Sequence, residues 1–321
     1  MKQIAIMGSG SFGCALANHL TNKNNKVKIW SFTEEETNII NNEHRCMFLE
    51  GSKLDESIKC YTSYEEALKD SEYILLVTPS KVIRETCRNI KEYVSNKKII
   101  IASKGLEEET NKLLSEVVKE ELPNNLIGVL SGPSHAEEVI KKMPTNVTFA
   151  SPNKSFNKEV KELFESNYFS IEIVEDMIGV EIGGSLKNII ALASGILYGL
   201  GYSSNIEAAL ITKGLKEISN IGIAIGAKKD TFYGLSGLGD LIVTCNSDNS
   251  RNRRAGKLIA KNKNIDAIKE EIGMVIEGLD NLLVAKELID KYKVNSQIIE
   301  TIYSIIYENL NVQELVTIVL K

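Results

Sequence analysis

Cysteine motifs and an excess of positive charge are both missing from this sequence. The five cysteines are scattered and never stand in a CxxC spacing, so neither a disulfide framework nor a zinc site is indicated, and we expect a cytoplasmic protein without metal. With 38 basic and 43 acidic side chains, the formal net charge of −5 argues against a general attraction to nucleic acid or anionic membranes. Any anion must therefore be held by a local site.

The sequence also lacks a segment that would carry the chain into a membrane. The apolar stretch at the N-terminus, Ile4 to Gly8, is too short and is broken too early for a secretory signal. The longest apolar run, Ile189 to Tyr202, contains glycines and falls short of the ~18 apolar residues needed to cross a bilayer. We expect this run to be a buried core helix.

What the first part of the chain does contain is a regular alternation of β-rich apolar runs with helical patterns. Such alternation predicts a parallel sheet wrapped by helices. The predicted strands are Gln3 to Met7, Val27 to Trp30, Tyr73 to Thr78, Lys98 to Ala102, Leu126 to Leu130, Val147 to Ala150 and Phe169 to Val174. The helices predicted between them include Phe12 to Thr21, Tyr64 to Lys69, Lys81 to Tyr93 and Thr110 to Glu120.

After Asp176 the strand patterns stop, and the remainder is typical of helices separated by Gly, Asn and Asp clusters. Because 321 residues exceed what one core usually supports, we predict two domains. The first, residues 1–177, is an α/β domain, and the second, residues 178–321, is all-helical. The helices predicted in it are Glu181 to Leu197, Asn205 to Ile225, Asp240 to Cys245, Arg251 to Ala260, Asp280 to Asp290 and Gln297 to Asn309.

A GxGxxG pattern, Gly8 to Gly13, follows the first predicted strand and opens the first helix. In this context each glycine has a reason: a tight turn, close approach of the backbone to a pyrophosphate, and close packing of helix on strand. The pattern predicts a Rossmann-like dinucleotide-binding domain. A plain glycine turn is the alternative.

The end of the second strand should adjoin the ribose that carries or lacks a 2′-phosphate. It reads Trp30, Ser31 and Phe32, followed by the acidic segment Glu34 to Glu36, with no lysine or arginine before Arg45. A 2′-phosphate would meet acidic neighbours, which favours NAD over NADP. No acidic residue stands directly at Ser31.

Three further strand ends carry polar loops on the same edge of the predicted sheet. Pro79 lies in the first, Lys104 in the second as a cation beside the cofactor, and Gly132 to Glu138 form the third. In isolation Lys104 would be interpreted as an ordinary surface lysine, but its position after a continuous apolar strand and before a glycine favours the place beside the cofactor. The third loop could be no more than a helix start with Ser134 as its N-cap.

In the helical half, Gly183 to Asn188 place Lys187 beside small residues at the mouth of the long apolar run. Such a lysine is either a solvated helix end or a catalytic group. Later segments combine glycines with Asp240, and then cluster three arginines within Ser250 to Arg254. An arginine cluster is usually a solvated face, but beside a dinucleotide site it is a candidate phosphate clamp.

At these residues the chain resembles NAD(P)-dependent glycerol-3-phosphate dehydrogenase. The matching segments occur in the family's order and span nearly the whole chain. They are Gly8 to Gly13, Ser103 to Gly105, Gly132 to Glu138, Gly183 to Asn188, Gly237 to Leu241, Thr244 with Cys245, Ser250 to Asn252 and Val275 to Gly278.

The resemblance implies reversible reduction of dihydroxyacetone phosphate to sn-glycerol 3-phosphate, the backbone of phospholipids, by a homodimer. Lys187 matches the catalytic lysine, accompanied by Lys104 and Asp240. Residues implied in binding the substrate are Lys104, Gly132, Ser134, Asn188, Asp240, Thr244, Ser250, Arg251 and Asn252. Residues implied in binding NAD, or NADP, are Gly8, Ser9, Gly10, Ser11, Phe12, Gly13, Ser31, Pro79, Lys104, Ala136, Arg251, Val275 and Glu277.

Two positions depart from the family pattern. The family commonly has a proline near Phe48 to Gly51, which puts the contribution of that loop to the cofactor edge in doubt. Bacterial-type members often carry arginine after strand two, where Ser31 stands here, and this strengthens the preference for NAD.

Two other interpretations of the sequence stay open. A reductase of the β-hydroxyacid or 2-ketopantoate type shares the plan, but its carboxylate substrate does not need a phosphate clamp. A non-catalytic protein that binds NAD could keep the fold. A histidine-based 2-hydroxyacid dehydrogenase is disfavoured, because His19, His44 and His135 all lie in the cofactor half.

Overall fold

The computed structural model describes all 321 residues, and its contacts divide the chain into two compact units. The first comprises Met1–Ser103 with Leu114–Met177, and the second comprises Lys104–Leu113 with Ile178–Lys321. The segment Lys104–Leu113 was not assigned to the helical part by the sequence. That residues 1–177 and 178–321 form two separate domains stays a prediction.

The first unit is built on one eight-stranded sheet in the order β3-β2-β1-β4-β5-β6-β7-β8. The strands are β1 (Gln3–Met7), β2 (Lys26–Trp30), β3 (Lys59–Tyr61), β4 (Tyr73–Leu76), β5 (Lys98–Ile101), β6 (Leu126–Ser131), β7 (Thr145–Ala150) and β8 (Phe169–Val174). Every predicted strand is present, and its edges differ from the predicted ones by at most two residues. The strand missed by the sequence is β3, which is only three residues long and carries a lysine.

The sheet is mixed, whereas a parallel sheet was expected. Strand β7 pairs antiparallel with β6, while the other neighbouring strands pair parallel. A parallel crossover needs a connection that runs back along the whole sheet, usually a full helix. Between β6 and β7 the helix Ala136–Val139 has only four residues, so the chain reverses at the same end of the sheet.

The helices of the first unit cover a core of aliphatic and aromatic side chains from both strands and helices. They are α1 (Ser11–Asn22), α2 (Glu34–Asn38), α3 (Tyr64–Leu68), α4 (Ile83–Ile90), α5 (Leu114–Glu121), α6 (Ala136–Val139) and α7 (Lys154–Phe164).

Two expectations about helix starts were wrong. The helix expected from Thr110 begins at Leu114, because Asn111 adopts a left-handed conformation (φ +57°) and Leu106 and Leu113 form an antiparallel bridge. Ser134 is not the N-cap of α6: His135 holds that position, and the Ser134 hydroxyl donates to the carbonyl of Gly132 at 3.0 Å.

The second unit is helical around its own apolar core. Its helices are α8 (Met177–Gly199), α9 (Ser204–Ile225), α10 (Asp240–Asn246), α11 (Arg251–Ile259), α12 (Ile265–Ile272), α13 (Glu277–Tyr292), α14 (Gln297–Tyr307) and α15 (Glu314–Leu320). The prediction of a helical second half is confirmed. Helices α12 and α15 are short and were not predicted from the sequence.

Helix α8 is the centre of the second unit. By length and composition it could cross a membrane, but its apolar window is completely buried inside the protein, so it is the core helix that the sequence predicted. It packs backbone to backbone against α11, where an added Cβ at Gly195 would lie 2.0 Å from the carbonyl oxygen of Arg253. Only glycine permits that approach.

Candidate active site

Lys187 lies in the middle of α8 with only 6% of its surface exposed, so it is not a solvated helix end. Its ammonium donates to Asp240 Oδ1 at 2.5 Å and to Thr244 Oγ1 at 2.7 Å. Asp240 and Thr244 are four residues apart on α10 and therefore share one face of that helix. The two acceptors fix the direction of the lysine side chain.

The same carboxylate binds a second ammonium. Lys104 Nζ donates to Asp240 Oδ2 at 2.7 Å, so one buried aspartate bridges two lysines from distant parts of the second unit. Buried charges persist only when they are paired and hydrogen-bonded. We call Lys104, Lys187, Asp240 and Thr244 the lysine cluster. It unites the three residues that the resemblance implied as catalytic.

The electrostatics of the cluster set the acidity of Lys187. Burial lowers its pKa from 10.5 to about 8, because the charged form loses water; Asp240 opposes this change and Lys104 supports it. Burial alone would raise the pKa of Asp240, but the charges of Lys104 and Lys187 outweigh it and hold that pKa below its ordinary value. The result is an acidic lysine beside a carboxylate that stays ionised.

A glycine on α8 lets the cluster form. Gly183 precedes Lys187 by one helical turn, and an added Cβ there would lie 2.7 Å from the carbonyl oxygen of Ser236. Ser236 belongs to the π-helical turn Leu235–Gly239, which leads directly into Asp240. Close contact at Gly183 thus brings the carboxylate within reach of the lysine.

A second polar group adjoins Lys187 in sequence. Asn252 Nδ2 donates to Asn188 Oδ1 at 3.0 Å, and Asn252 Oδ1 accepts from the amide of Gly278 at 2.8 Å. Arg251 Nη1 donates to the carbonyl of Val275 at 3.0 Å. The structure therefore brings together residues from three separate motifs of the sequence.

The three clustered arginines do not act together. The Arg253 guanidinium binds Asp248 and Glu207 and lies over the ring of Tyr198, while Arg254 is exposed. Ser250 is buried, and its hydroxyl caps α11 by accepting from the amide of Arg253. Arg251 instead donates to the segment before α13, at Val275.

The glycine loop, Gly8 to Gly13 of the first unit, has the features of an anion site. Gly10 is the N-cap of the 12-residue helix α1, no side chain caps it, and the first turn carries no acidic residue. An added Cβ at Gly13 would lie 2.1 Å from the carbonyl oxygen of Gly8, so Gly13 is required by packing. At Gly10 an added Cβ would meet no protein atom within 4 Å. Open space at the positive end of a helix fits a dinucleotide phosphate.

The remaining predicted residues lie in both units. An added Cβ at Gly8 (φ +123°) would lie 3.0 Å from the backbone of Val77, two residues before Pro79. Ser11 Oγ donates to the carbonyl of Phe48 at 2.7 Å. Ser9, Phe12, Ser31, Gly132, Ser134 and Ala136 belong to the first unit, whereas Lys104, Arg251, Val275 and Glu277 belong to the second.

Sequence reasoning missed two polar side chains. Asn281 is fully buried; it accepts from the amide of Leu106 and donates to the carbonyl of Ser185, which ties the segment carrying Lys104 to α8. An asparagine within the apolar stripe of α13 was the available signal. Glu36 was considered only as part of an acidic segment, yet its carboxylate accepts from Ser31 Oγ at 2.8 Å.

His19, one of three histidines, has a structural position. It is buried, with Nε2 2.7 Å from the carbonyl oxygen of Phe164 and Nδ1 3.0 Å from the hydroxyl of Tyr168. Burial lowers its pKa to about 4. It therefore packs α1 against the loop before β8.

Comparison with known proteins decides the family. The family model described as the N-terminus of NAD-dependent glycerol-3-phosphate dehydrogenase matches residues 3–157, and the model described as its C-terminus matches residues 176–317. This chain belongs to that family.

Individual members of the glycerol-3-phosphate dehydrogenase family match the whole chain. A glycerol-3-phosphate dehydrogenase (NAD(P)+) of Clostridium botulinum is 46% identical, over 98% of this chain and 97% of that protein. One of the same name from Clostridium perfringens is 43% identical, over 100% and 98%. A crystal structure of glycerol-3-phosphate dehydrogenase from Coxiella burnetii has a TM-score of 0.96 at 37% identity, covering 100% of this chain and 99% of that one.

The glycine loop gives a test of where this family member binds its dinucleotide. We expect Gly10→Ala to raise the Kd for NADH at least about tenfold, because the added methyl fills the space left for the pyrophosphate, while stability changes by at most about 1 kcal/mol. Gly13→Ala should instead lower the free energy of unfolding by about 3 kcal/mol, because its methyl meets protein backbone. NADH fluorescence titration and thermal unfolding measure the two effects. Normal NADH binding by Gly10→Ala would remove the loop from the site.

Proposed function

We propose that this chain catalyses the reversible reduction of dihydroxyacetone phosphate to sn-glycerol 3-phosphate with NAD(P)H. The observation that carries the proposal is the lysine cluster: a buried lysine with a pKa lowered to about 8, hydrogen-bonded to an ionised aspartate that also binds a second ammonium. Membership of the glycerol-3-phosphate dehydrogenase family supports the same reaction. The product supplies the glycerol phosphate backbone of phospholipids.

Lys187 is the general acid of the reduction. A bound nicotinamide would supply a hydride to the ketone carbon, and the ketone oxygen would then carry the developing negative charge. An ammonium has three N–H donors; Asp240 and Thr244 accept two from Lys187, which leaves one for the substrate oxygen. Donating that proton completes the alcohol.

Lys104 and Asp240 tune and orient this acid. The charge of Lys104 lowers the pKa of Lys187 and adds positive potential where the oxygen becomes negative. Asp240 holds both ammonium groups in place and remains a carboxylate. In the oxidation of glycerol 3-phosphate, neutral Lys187 takes the proton back.

Arg251 and Asn252 hold the phosphate of the substrate. A guanidinium and an amide N–H₂ supply several donors to phosphate oxygens, and Asn188 with Gly278 orients Asn252. Remote binding of this kind fixes the reacting carbon before hydride transfer. Thr244 and Ser250 support the site through Lys187 and the start of α11.

The dinucleotide binds through the glycine loop, with NAD preferred over NADP because acidic rather than basic residues follow β2. Residues Ser31, Pro79 and Ala136 line the rest of the site in the first unit.

We place the enzyme in the cytoplasm, where its five free, buried cysteines stay reduced. Its assembly is a homodimer, as the family resemblance implies; size-exclusion chromatography with light scattering measures this.

The phosphate group should be indispensable to the substrate. We expect NADH oxidation with dihydroxyacetone phosphate to exceed that with unphosphorylated dihydroxyacetone by at least about 10³-fold in kcat/KM, because remote phosphate contacts lower the barrier at the reacting carbon. Steady-state absorbance at 340 nm measures both rates. Turnover of a β-hydroxyacid or 2-ketopantoate-type substrate instead, or NADH binding without any turnover, would overturn the proposal.

Lys187→Met should fold and bind NADH yet lose at least about 10³-fold in kcat, because the general acid is gone while the side-chain volume is kept.

In the unaltered enzyme the reduction needs protonated Lys187, so kcat for reduction should fall as pH rises through about 8, while kcat for glycerol 3-phosphate oxidation should rise. Lys104→Met should move that transition to higher pH, because a charge that lowers the Lys187 pKa is removed. A near-normal kcat in Lys187→Met would refute the assignment.

Arg251→Ala should raise KM for dihydroxyacetone phosphate by about 10- to 100-fold with a smaller change in kcat, because a charged phosphate contact is worth about 1.5–3 kcal/mol. Arg254→Ala is the matched control, an exposed arginine one turn further along α11, and should leave both constants unchanged. Equal KM values in the two variants would remove Arg251 from the clamp.

A further inference from the structure

The carboxyl group of Glu36 lies against the glycine loop. It accepts a hydrogen bond from Ser31 Oγ at 2.8 Å and another from Ser9 Oγ, and the two hydroxyls themselves are 2.9 Å apart. Ser31 directly follows β2, and Ser9 stands between Gly8 and Gly10. The side chain therefore extends back from α2 to the place where the end of β2 meets the glycine loop.

In dinucleotide-binding sheets this place receives the ribose of the adenosine half, and a carboxylate there accepts hydrogen bonds from the ribose hydroxyls. A 2′-phosphate at the same position would face negative charge. We propose that Glu36 is the residue that selects NAD over NADP in this enzyme. The inference rests on the proposed function in assuming that the glycine loop binds the dinucleotide and that NAD is preferred over NADP.

The neighbouring acidic residues are directed elsewhere. Glu34 accepts from the hydroxyl of Thr62 at 2.8 Å, and Glu35 is exposed to solvent. Glu36 is half-buried, and its backbone is fixed because its amide donates to Thr33 Oγ1, the N-cap of α2, at 3.2 Å. The helix cap thus aims one of three consecutive carboxylates at the loop.

No cation offsets this carboxylate along the same stretch of chain. The basic residues that flank it are Lys28 and Arg45. Lys28 Nζ donates to backbone carbonyls of Glu66 and Lys69, and Arg45 Nε pairs with Glu43 at 2.7 Å. Recognition of a 2′-phosphate requires a basic group, usually arginine, at this edge.

The test compares Glu36→Gln with Glu35→Gln, which makes the same charge change one residue away on an exposed side chain. NADH and NADPH are titrated separately by fluorescence in the absence of ketone, and thermal unfolding checks each variant. We expect the ratio of the Kd for NADPH to that for NADH to fall at least about tenfold in Glu36→Gln and to stay unchanged in Glu35→Gln, because it is the Glu36 carboxyl that contacts Ser9 and Ser31 while Glu35 is exposed.

Glu36→Asp keeps the charge and should retain the rejection of NADPH, which also covers the case in which Glu36→Gln does not fold. An unchanged ratio in Glu36→Gln, an equal change in Glu35→Gln, or loss of NADPH rejection in Glu36→Asp overturns the proposal. Because the titrations contain no ketone, they remain informative if dihydroxyacetone phosphate is not a substrate, and only the absence of NADH binding would defeat both proposals together.

Discussion

The buried carboxylate of Asp240, held between the ammonium groups of Lys104 and Lys187, is the interaction on which the second unit depends. A single buried charge in this core would cost several kcal/mol, and removing one partner of a buried pair typically costs about 3–5 kcal/mol. Three segments must therefore converge: α8, α10 and Lys104–Leu113. Glycine contacts on α8 and the hydrogen bonds of Asn281 hold these segments at the required distance.

The same arrangement explains why Lys187 has a lowered pKa although an aspartate touches it. At an effective dielectric of about 20, two unit charges 4 Å apart interact by ~4 kcal/mol, equivalent to ~3 pKa units. Asp240 raises the pKa and Lys104, on the far oxygen of the same carboxylate, lowers it, so the two effects largely oppose each other. Burial then decides that the pKa of Lys187 is lowered. A lysine in this balance remains protonated at neutral pH while being a far better acid than one in water.

Prediction from sequence succeeded where the pattern is local. Strand β1 and helix α1 follow from an apolar run and a GxGxxG turn, and the core position of α8 follows from the long, mostly apolar run that begins at Ile189. Prediction from sequence failed where the local structure is decided by residues that are distant in the chain. The reversal at β7, the late start of α5 and the different environments of Arg251 and Arg253 depend on contacts that no local window contains.

The sequence by itself determined the alternation of strands and helices, the glycine loop and the residue types of the site, because periodicity and glycine spacing act over neighbouring residues. Only the tertiary structure decided that Lys104 and Lys187, 83 positions apart by their numbers, share one carboxylate, and that Glu36 rather than its neighbours meets Ser9 and Ser31. The physical reason is the same in both cases. Charge pairing and desolvation depend on distances between side chains in space. For residues far apart in the sequence, those distances are set only when the chain folds.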